Sequence, residues 1–387
     1  MIKINKYERF YATINHRKPD KMPLYIPTIY CSVASQILEH DANTGGDSLL
    51  FKLELAQLNG NNAYKELVNK VFEDTIELSR KLKIDIIRQP LLSIEKPTKK
   101  LDDYTLYFEK EDGSYKVKRF YSEYQSYGIL EDTTGFRNVE HLKSNLIKKM
   151  KKKYKVNEDE LNTIYHSQLQ FKKLADPYFP TIVGGIGMGI SMYNTVWLES
   201  IALEPEFLAD YFMYLAEIGK QHIKWLYKHG FIWINGGGDL ASNTGPIYSP
   251  NTFKNVFVNP LKIIADECRK VGMIYCYRTD GNIWSLFDYM FHDTGIQAYG
   301  EVDRQASMTV KKVRENASEL IILGNISSST LNKGTEEEVR DETRESLMES
   351  GGYNYIVGPS NAVLHGTPIQ NVYAMIDEVE KFKPLNK

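Results

Sequence analysis

The sequence predicts an α/β protein, a closed (β/α)8 barrel with an antiparallel hairpin insertion in its N-terminal part. Three observations predict it. From about residue 178 onward, short apolar runs ending in Gly, Asn or Asp alternate with stretches of helical periodicity. The apolar runs are nearly continuous, as in parallel strands covered on both faces. One segment breaks this grammar with period-two alternation around Asp112-Gly113, a hairpin signal. An open doubly wound sheet is the competing architecture.

The strands come in order. "MPLYIPTIY" and "KIDIIRQPLL" lie in the first hundred residues, a region otherwise helical and extended. The hairpin insertion covers about 103–136. Six further runs follow: "FPTIVGGIGMG", "FIWINGGGD", "MIYCYRTDGN", "IQAYGEVD", "LIILGNISS" and "YIVGPSN". Together they make eight strand–helix units, the count of a closed barrel, within one domain spanning 1–387. Its most secure part is about 178–387. Helix boundaries agree: Ser249-Pro250 reads as a cap followed by Pro at the first position, and Pro205 follows Glu204 in the same way. Gly230 and Gly272 stand where helices should stop. The basic run Lys143–Val156 reads as a solvated helix face or linker, with an acidic partner protein as the alternative.

Composition narrows the function. The 48 basic and 50 acidic side chains nearly cancel, which argues against nucleic acid as a partner. No apolar run approaches the roughly 20 residues that cross a bilayer, and the first residues lack a signal peptide's apolar core. A cytoplasmic location is the expectation. Three scattered cysteines, Cys31, Cys268 and Cys276, suggest neither a disulfide framework nor a structural zinc site. A small-molecule substrate is expected, and a homodimer is compatible with a sequence that does not fix its assembly.

In a barrel of this kind, reactive groups stand at the carboxyl ends of the strands. That rule selects Asn235 and Asp239, then Arg278 and Asp280, then Glu301 and Asp303. It continues with Asn325 and Ser327, and with Ser360 and Asn361. Arg278 and Asp280 share parity on an extended chain. They read as an anion-binding fork and a proton-exchanging carboxyl, or as a structural ion pair and an Asp-Gly turn. Glycines 236–238 allow a ligand close to the backbone near Asp239; the alternative is a plain strand-to-helix loop. Tyr277 and His365 are candidate acids, His365 also reading as an ordinary loop residue. Neither a P-loop ending nor a GxSxG elbow occurs.

The order of motifs resembles the uroporphyrinogen decarboxylase superfamily, which includes cobalamin-dependent methyltransferases. The resemblance is carried by "ERFYATINHRKPDKMPLYIP", "GGGDLASNTGPIYSPNTFKNVFVNPLKIIAD", "YRTDGNI", "LGNISSSTLNKGTEEEVRDETRE" and "GPSNAVLHGTPIQNVYAMIDEV". It spans nearly the whole chain, most securely from Gly184. Decarboxylases carry an Arg-Gln-Ala-Gly-Arg segment after the first strand, where this chain has "PTIYCSVASQ" without arginine. Their Phe-Ser-Asp motif is replaced by "IDIIRQPLL", with Asp85 too early and Arg88 nearby. Methyltransferase relatives bind zinc through His-x-Cys and a later Cys; the matching positions here are Arg278, Asp280 and Asn361. Arginine stays protonated and cannot ligate a metal, so the resemblance implies a site without that zinc.

What the resemblance implies is a methyltransferase-like enzyme acting on a small methoxylated or methylated compound. Arg278, Asp280, Asp239, Glu301, Tyr277 and His365 would carry the chemistry. Asn235, Asp303, Asn325, Ser360 and Asn361 would bind substrate. The methyl acceptor would be a corrinoid on a separate protein, since no DxHxxG motif is evident. A carboxy-lyase acting on a small acid, and a non-catalytic barrel that binds a ligand or corrinoid protein, are the alternatives.

Overall fold

The computed structural model describes residues 4–151, 156–190 and 193–384. Seven parallel strands form one curled sheet whose spatial order is the chain order. They are β1 (Ile87–Arg88), β2 (Thr181–Gly184), β3 (Trp233–Gly237), β4 (Ile274–Arg278), β5 (Ala298–Val302), β6 (Ile321–Gly324) and β7 (Tyr355–Ile356). The run "MPLYIPTIY" differs from expectation: it makes isolated parallel bridges instead of a strand. Leu24 bridges Val357 beyond β7, and Tyr25 bridges Ile86 beside β1. Pro23 and Pro27 flank these residues, and a proline has no N–H to extend a ladder.

Side-chain alternation along the strands divides the core in two. Phe10, Tyr25, Ile86, Ile182, Trp233, Cys276, Ala298, Ile321, Leu323 and Ile356 form an inner cluster. Their neighbours Ile87, Val183, Ile234, Tyr275, Tyr277, Tyr299 and Ile322 belong to the larger cluster that includes the helices. This parity decides which residues can face the inside of the curl. Phe10 enters from the helix Lys6–Ile14 and packs on Trp233, with ring centroids 5.9 Å apart. Beside it, Arg9 pairs with Asp85 at 2.6 Å, and the same carboxylate accepts from the Leu24 N–H at 3.0 Å. Asp85 is therefore committed to fixing the bridging segment.

The helices start and stop for local reasons. Pro205 opens the helix Pro205–Lys228, and Gly230 follows its end with φ 79°. The Ser249 hydroxyl caps the Thr252 N–H before Pro250. The continuing helix Asn259–Val271 ends at Gly272, which is left-handed. Residues 99–132 make a separate four-stranded antiparallel sheet. It packs on the helix Asp47–Asn59, where Phe51 stacks on Phe120 and Glu54 pairs with Lys118 at 2.7 Å. Of the basic run Lys143–Val156, residues 152–155 lie outside the described residues; Lys143 pairs with Glu204 at 3.0 Å. Among the described residues, no helix is long and apolar enough to cross a membrane.

Candidate active site

A cavity of about 300 Å³ opens at the carboxyl ends of the strands, lined by glycines of the β2 and β3 loops together with Arg88, Asn235, Asp239, Arg278 and Glu301. Strand parity puts Arg88 and Arg278 there. Each lies two residues after an inner-cluster residue, Ile86 and Cys276. Asn235 follows Trp233 in the same way, and the Trp233 indole donates to its Oδ1 at 2.8 Å.

Glu301 reaches the cavity by another route. Tyr299 packs among the outward-facing residues, so regular alternation would turn Glu301 outward too. The β5–β6 register shifts between Tyr299 and Val302, and Glu301 adopts φ 63°. A bulge of this kind re-aims a side chain. A left-handed non-glycine residue costs on the order of 1 kcal/mol or more, a strain that persists where surrounding structure holds it. What holds it here is an ion pair with Arg278 Nη2, both side chains being largely buried.

Electrostatics follow from that crowding. Burial acts to lower the pKa of Arg278, but Glu301 and other neighbours outweigh it and raise it. Burial lowers that of Arg88, and the Arg278 charge lowers it further. Burial pushes the Glu301 carboxyl up, against the pull of both guanidiniums. Asp280 stands just past β4, and burial together with the charges of Glu301, Asp303 and Asp239 pushes its pKa up to about 7. Asn361 Nδ2 donates to Asp280 Oδ2 at 2.9 Å and acts in the opposite direction. A carboxyl that keeps its proton near neutrality can give it to a departing oxygen.

The glycine walls are built by close backbone approach. A β-carbon on Gly236 would collide with the Tyr275 hydroxyl and the Ile186 carbonyl. Gly237 adopts φ 142° where its carbonyl crowds Gly187. Two buried tyrosines of β4 hold the opposite loop from the helix side. Tyr275 Oη donates to the Ile186 carbonyl at 2.8 Å, and Tyr277 Oη donates to the Met188 carbonyl.

Several sequence expectations are corrected by these positions. Tyr277 belongs to the helix-facing parity of β4, and its hydroxyl is committed to Met188; burial raises its pKa well above the usual tyrosine value. It does not line the cavity. Asn325 is fully buried, and its amide donates to the Val302 and Met308 carbonyls at 2.9 Å each, which makes it a loop tie. His365 is exposed and does not line the cavity; its Nδ1 lies 2.8 Å from the Ser32 hydroxyl. Asp303 Oδ1 caps the Gln305 N–H at 2.9 Å, although its charge still reaches Asp280. Ser360 is buried, its N–H donating to the Ile326 carbonyl. Arg278, Glu301, Asn235 and Asp239 are brought together around the cavity, and Asp280 with Asn361 stands beside them. Arg88 is the residue that sequence reasoning passed over; its position at the end of an apolar run was the available signal.

The positions that relatives use for zinc do not fit the metal. Arg278 is a paired cation, and Asn361 presents its amide nitrogen to Asp280; neither is a zinc ligand. Elsewhere, a larger surface cleft of about 740 Å³ contains Arg304 and several carboxylates. Arg304 pairs there with Glu345 at 2.7 Å.

Fold and site together define an α/β protein with a polar, guanidinium-floored cavity at its strand ends. The family model for uroporphyrinogen decarboxylase (URO-D) matches residues 185–382, more than half of the sequence, and the chain belongs to that family. Among curated proteins nothing matches it. Among solved structures, a methyltransferase from Methanosarcina mazei is similar with TM-score 0.63 and 16% identity, covering 98% of this chain and 99% of its own. A protein from Listeria monocytogenes, described as resembling a vitamin-B12-independent methionine synthase, gives TM-score 0.50 and 12% identity, with 92% and 98% covered. At such identities the likeness concerns the fold.

Proposed function

We propose that this chain is a methyltransferase-like enzyme that takes a methyl group from a small methoxylated or methylated compound. The curled sheet and its bridging segment would act as a (β/α)8 barrel, with the antiparallel sheet as an insertion. One observation carries the reading: Asp280, a half-buried carboxyl that burial and neighbouring carboxylates push up to about 7, stands near the Arg278–Glu301 pair of a small cavity. A methyl ether is a reluctant donor because its oxygen departs as an anion, and an acid placed at that oxygen lowers the barrier.

In this mechanism the methyl–oxygen bond breaks with its electron pair left on oxygen. Asp280 gives that oxygen its proton and regains one from solvent at the mouth. Arg278, held in place by Glu301, would bind the substrate so that its departing oxygen lies beside Asp280. Asn361 holds the Asp280 carboxyl in position. The methyl acceptor would be a corrinoid on a separate protein, which supplies a nucleophilic metal centre when it docks. A corrin ring is too large for a cavity of about 300 Å³, so it would approach from the mouth. The methyltransferase fold neighbour is consistent with this reading.

A second reading is favoured by the two guanidiniums on the cavity floor. A carboxy-lyase would bind a small acid through Arg278 and use Asp239, which is exposed at the cavity, as proton donor. One assay separates the two. The purified chain is mixed with cob(I)alamin and a panel of methoxylated and methylated compounds. Methyl transfer predicts consumption of cob(I)alamin that requires both the protein and the methyl compound. Carbon dioxide release from acids without corrinoid, and no cob(I)alamin consumption, would reject it in favour of the lyase.

A further inference from the structure

We propose that the cavity takes a small monocarboxylate, held by Arg88, Arg278 and Asn235, with its methyl-bearing end towards the mouth. The inference rests on the methyl-transfer reading of the same site and adds the class of substrate.

Polar groups without partners gather at the cavity. Asn235 is 4% exposed, and its Nδ2 has no partner. Its orientation is fixed, because the Trp233 indole occupies Oδ1 at 2.8 Å. An amide N–H₂ therefore lines the cavity with nothing to bond. Tyr25, also 4% exposed and with no partner for its hydroxyl, lies close to both guanidiniums behind the residues that line the cavity. Arg88 spends Nε on the Pro27 carbonyl and Nη2 on the Thr28 hydroxyl, while Arg278 spends Nη2 on Glu301. Among the described residues, Nη1 of each has no acceptor. A buried donor left unpaired costs roughly 1–3 kcal/mol, so the Asn235 amide beside two guanidinium arms calls for a ligand rich in acceptors.

Charge selects among such ligands. Arg278 is paired with Glu301 and Asp239 also lines the cavity, whereas Arg88 forms no ion pair among the described residues and spends its bonds on neutral groups. A monocarboxylate supplies that one missing partner, and its planar pair of oxygens matches the guanidinium fork. A phosphate dianion would overshoot, close to Asp239 and Asp280. The volume admits one compact molecule. A carboxylate on the floor leaves the far end of that molecule near Asp280, where the proposed proton transfer occurs.

The test is calorimetric binding to the full chain, without corrinoid, of 4-methoxybenzoate, 4-methoxybenzamide and 4-methoxyphenyl phosphate. The benzoate should bind about tenfold or more tightly than the amide and also outbind the phosphate; tenfold corresponds to ~1.4 kcal/mol. Arg88→Gln and Asn235→Ala should each erase most of the preference over the amide, with thermal melts confirming that the variants fold. Arg88→Lys, which keeps charge but not the fork, should recover part of it. Equal binding of acid and amide, preference for the phosphate, or no carboxylate binding at millimolar concentration would overturn the inference. Selective carboxylate binding without methyl transfer would sustain it and reject the methyl-transfer reading. Methyl transfer from neutral ethers as readily as from acids would do the reverse.

Discussion

The side-chain amide of Asn361 donates to Asp280 at 2.9 Å, joining two loops 81 residues apart at the mouth of the cavity. The carboxyl it touches is pushed up to about 7, first by burial and then by Glu301. Everything proposed for proton transfer depends on that balance.

The rate of methyl transfer should therefore fall as pH rises through about 7, as Asp280 loses its proton. Asp280→Asn should lower kcat by roughly 10²–10⁴-fold, the usual range for a lost general acid, and remove that limb. Stability gives an independent sign. The folded protein holds this proton more tightly than the unfolded chain, where the group titrates near 3.8. The contribution of Asp280 is thus most favourable at low pH and is lost as pH rises from about 4 to 7. Asp280→Asn should gain stability relative to the parent across that window, read from urea unfolding at several pH values.

Asn361→Ala should move the kinetic limb to higher pH, because the lost hydrogen bond favours the ionised form. Glu301→Gln should move it lower by removing a nearby negative charge, while also releasing Arg278. Opposite displacements in the two pH–rate profiles are the expected result.

Tyr277→Phe should leave the limb where it is. The hydroxyl it removes holds the Met188 carbonyl, so the expected effect is a loss of about 1–3 kcal/mol of stability. Urea unfolding measures that loss, and the pH–rate profile separates a loop latch from an acid.

Arg278→Lys should fail to rescue Arg278→Ala, since an ammonium cannot keep one arm on Glu301 and offer another to a ligand. Parallel kcat/KM measurements on the two variants check this; full activity in the lysine variant would count against the fork.

Exhaustive chelation should leave activity unchanged, because Arg278 and Asn361 are not zinc ligands. Stoichiometric zinc in the pure protein, measured by elemental analysis, would contradict this.

Much of the site was legible in the sequence wherever regular alternation held. Arg278 and Asn235 end apolar runs with inward parity, and both line the cavity. The reach of Glu301 into the cavity depends on a bulge with φ 63°, which no period-two pattern announces. Tyr277, a candidate acid by sequence, has the parity of Tyr275, which faces the helices. The burial of the Asn325 amide depends on contacts to Val302 and Met308 that only the folded loops create. Arg88 was passed over because β1 is just Ile87–Arg88. The first apolar run was read as a strand although its prolines interrupt the ladder.

The central claim is that the Asp280 carboxyl titrates near neutrality, far above the ordinary carboxylate range. It is tested most directly by ¹³C NMR titration of carboxyl-labelled aspartate in the full chain, with Asp280→Asn providing the assignment. A resonance that titrates at about 7 and vanishes in the variant is predicted. An Asp280 resonance titrating near 4 would contradict it.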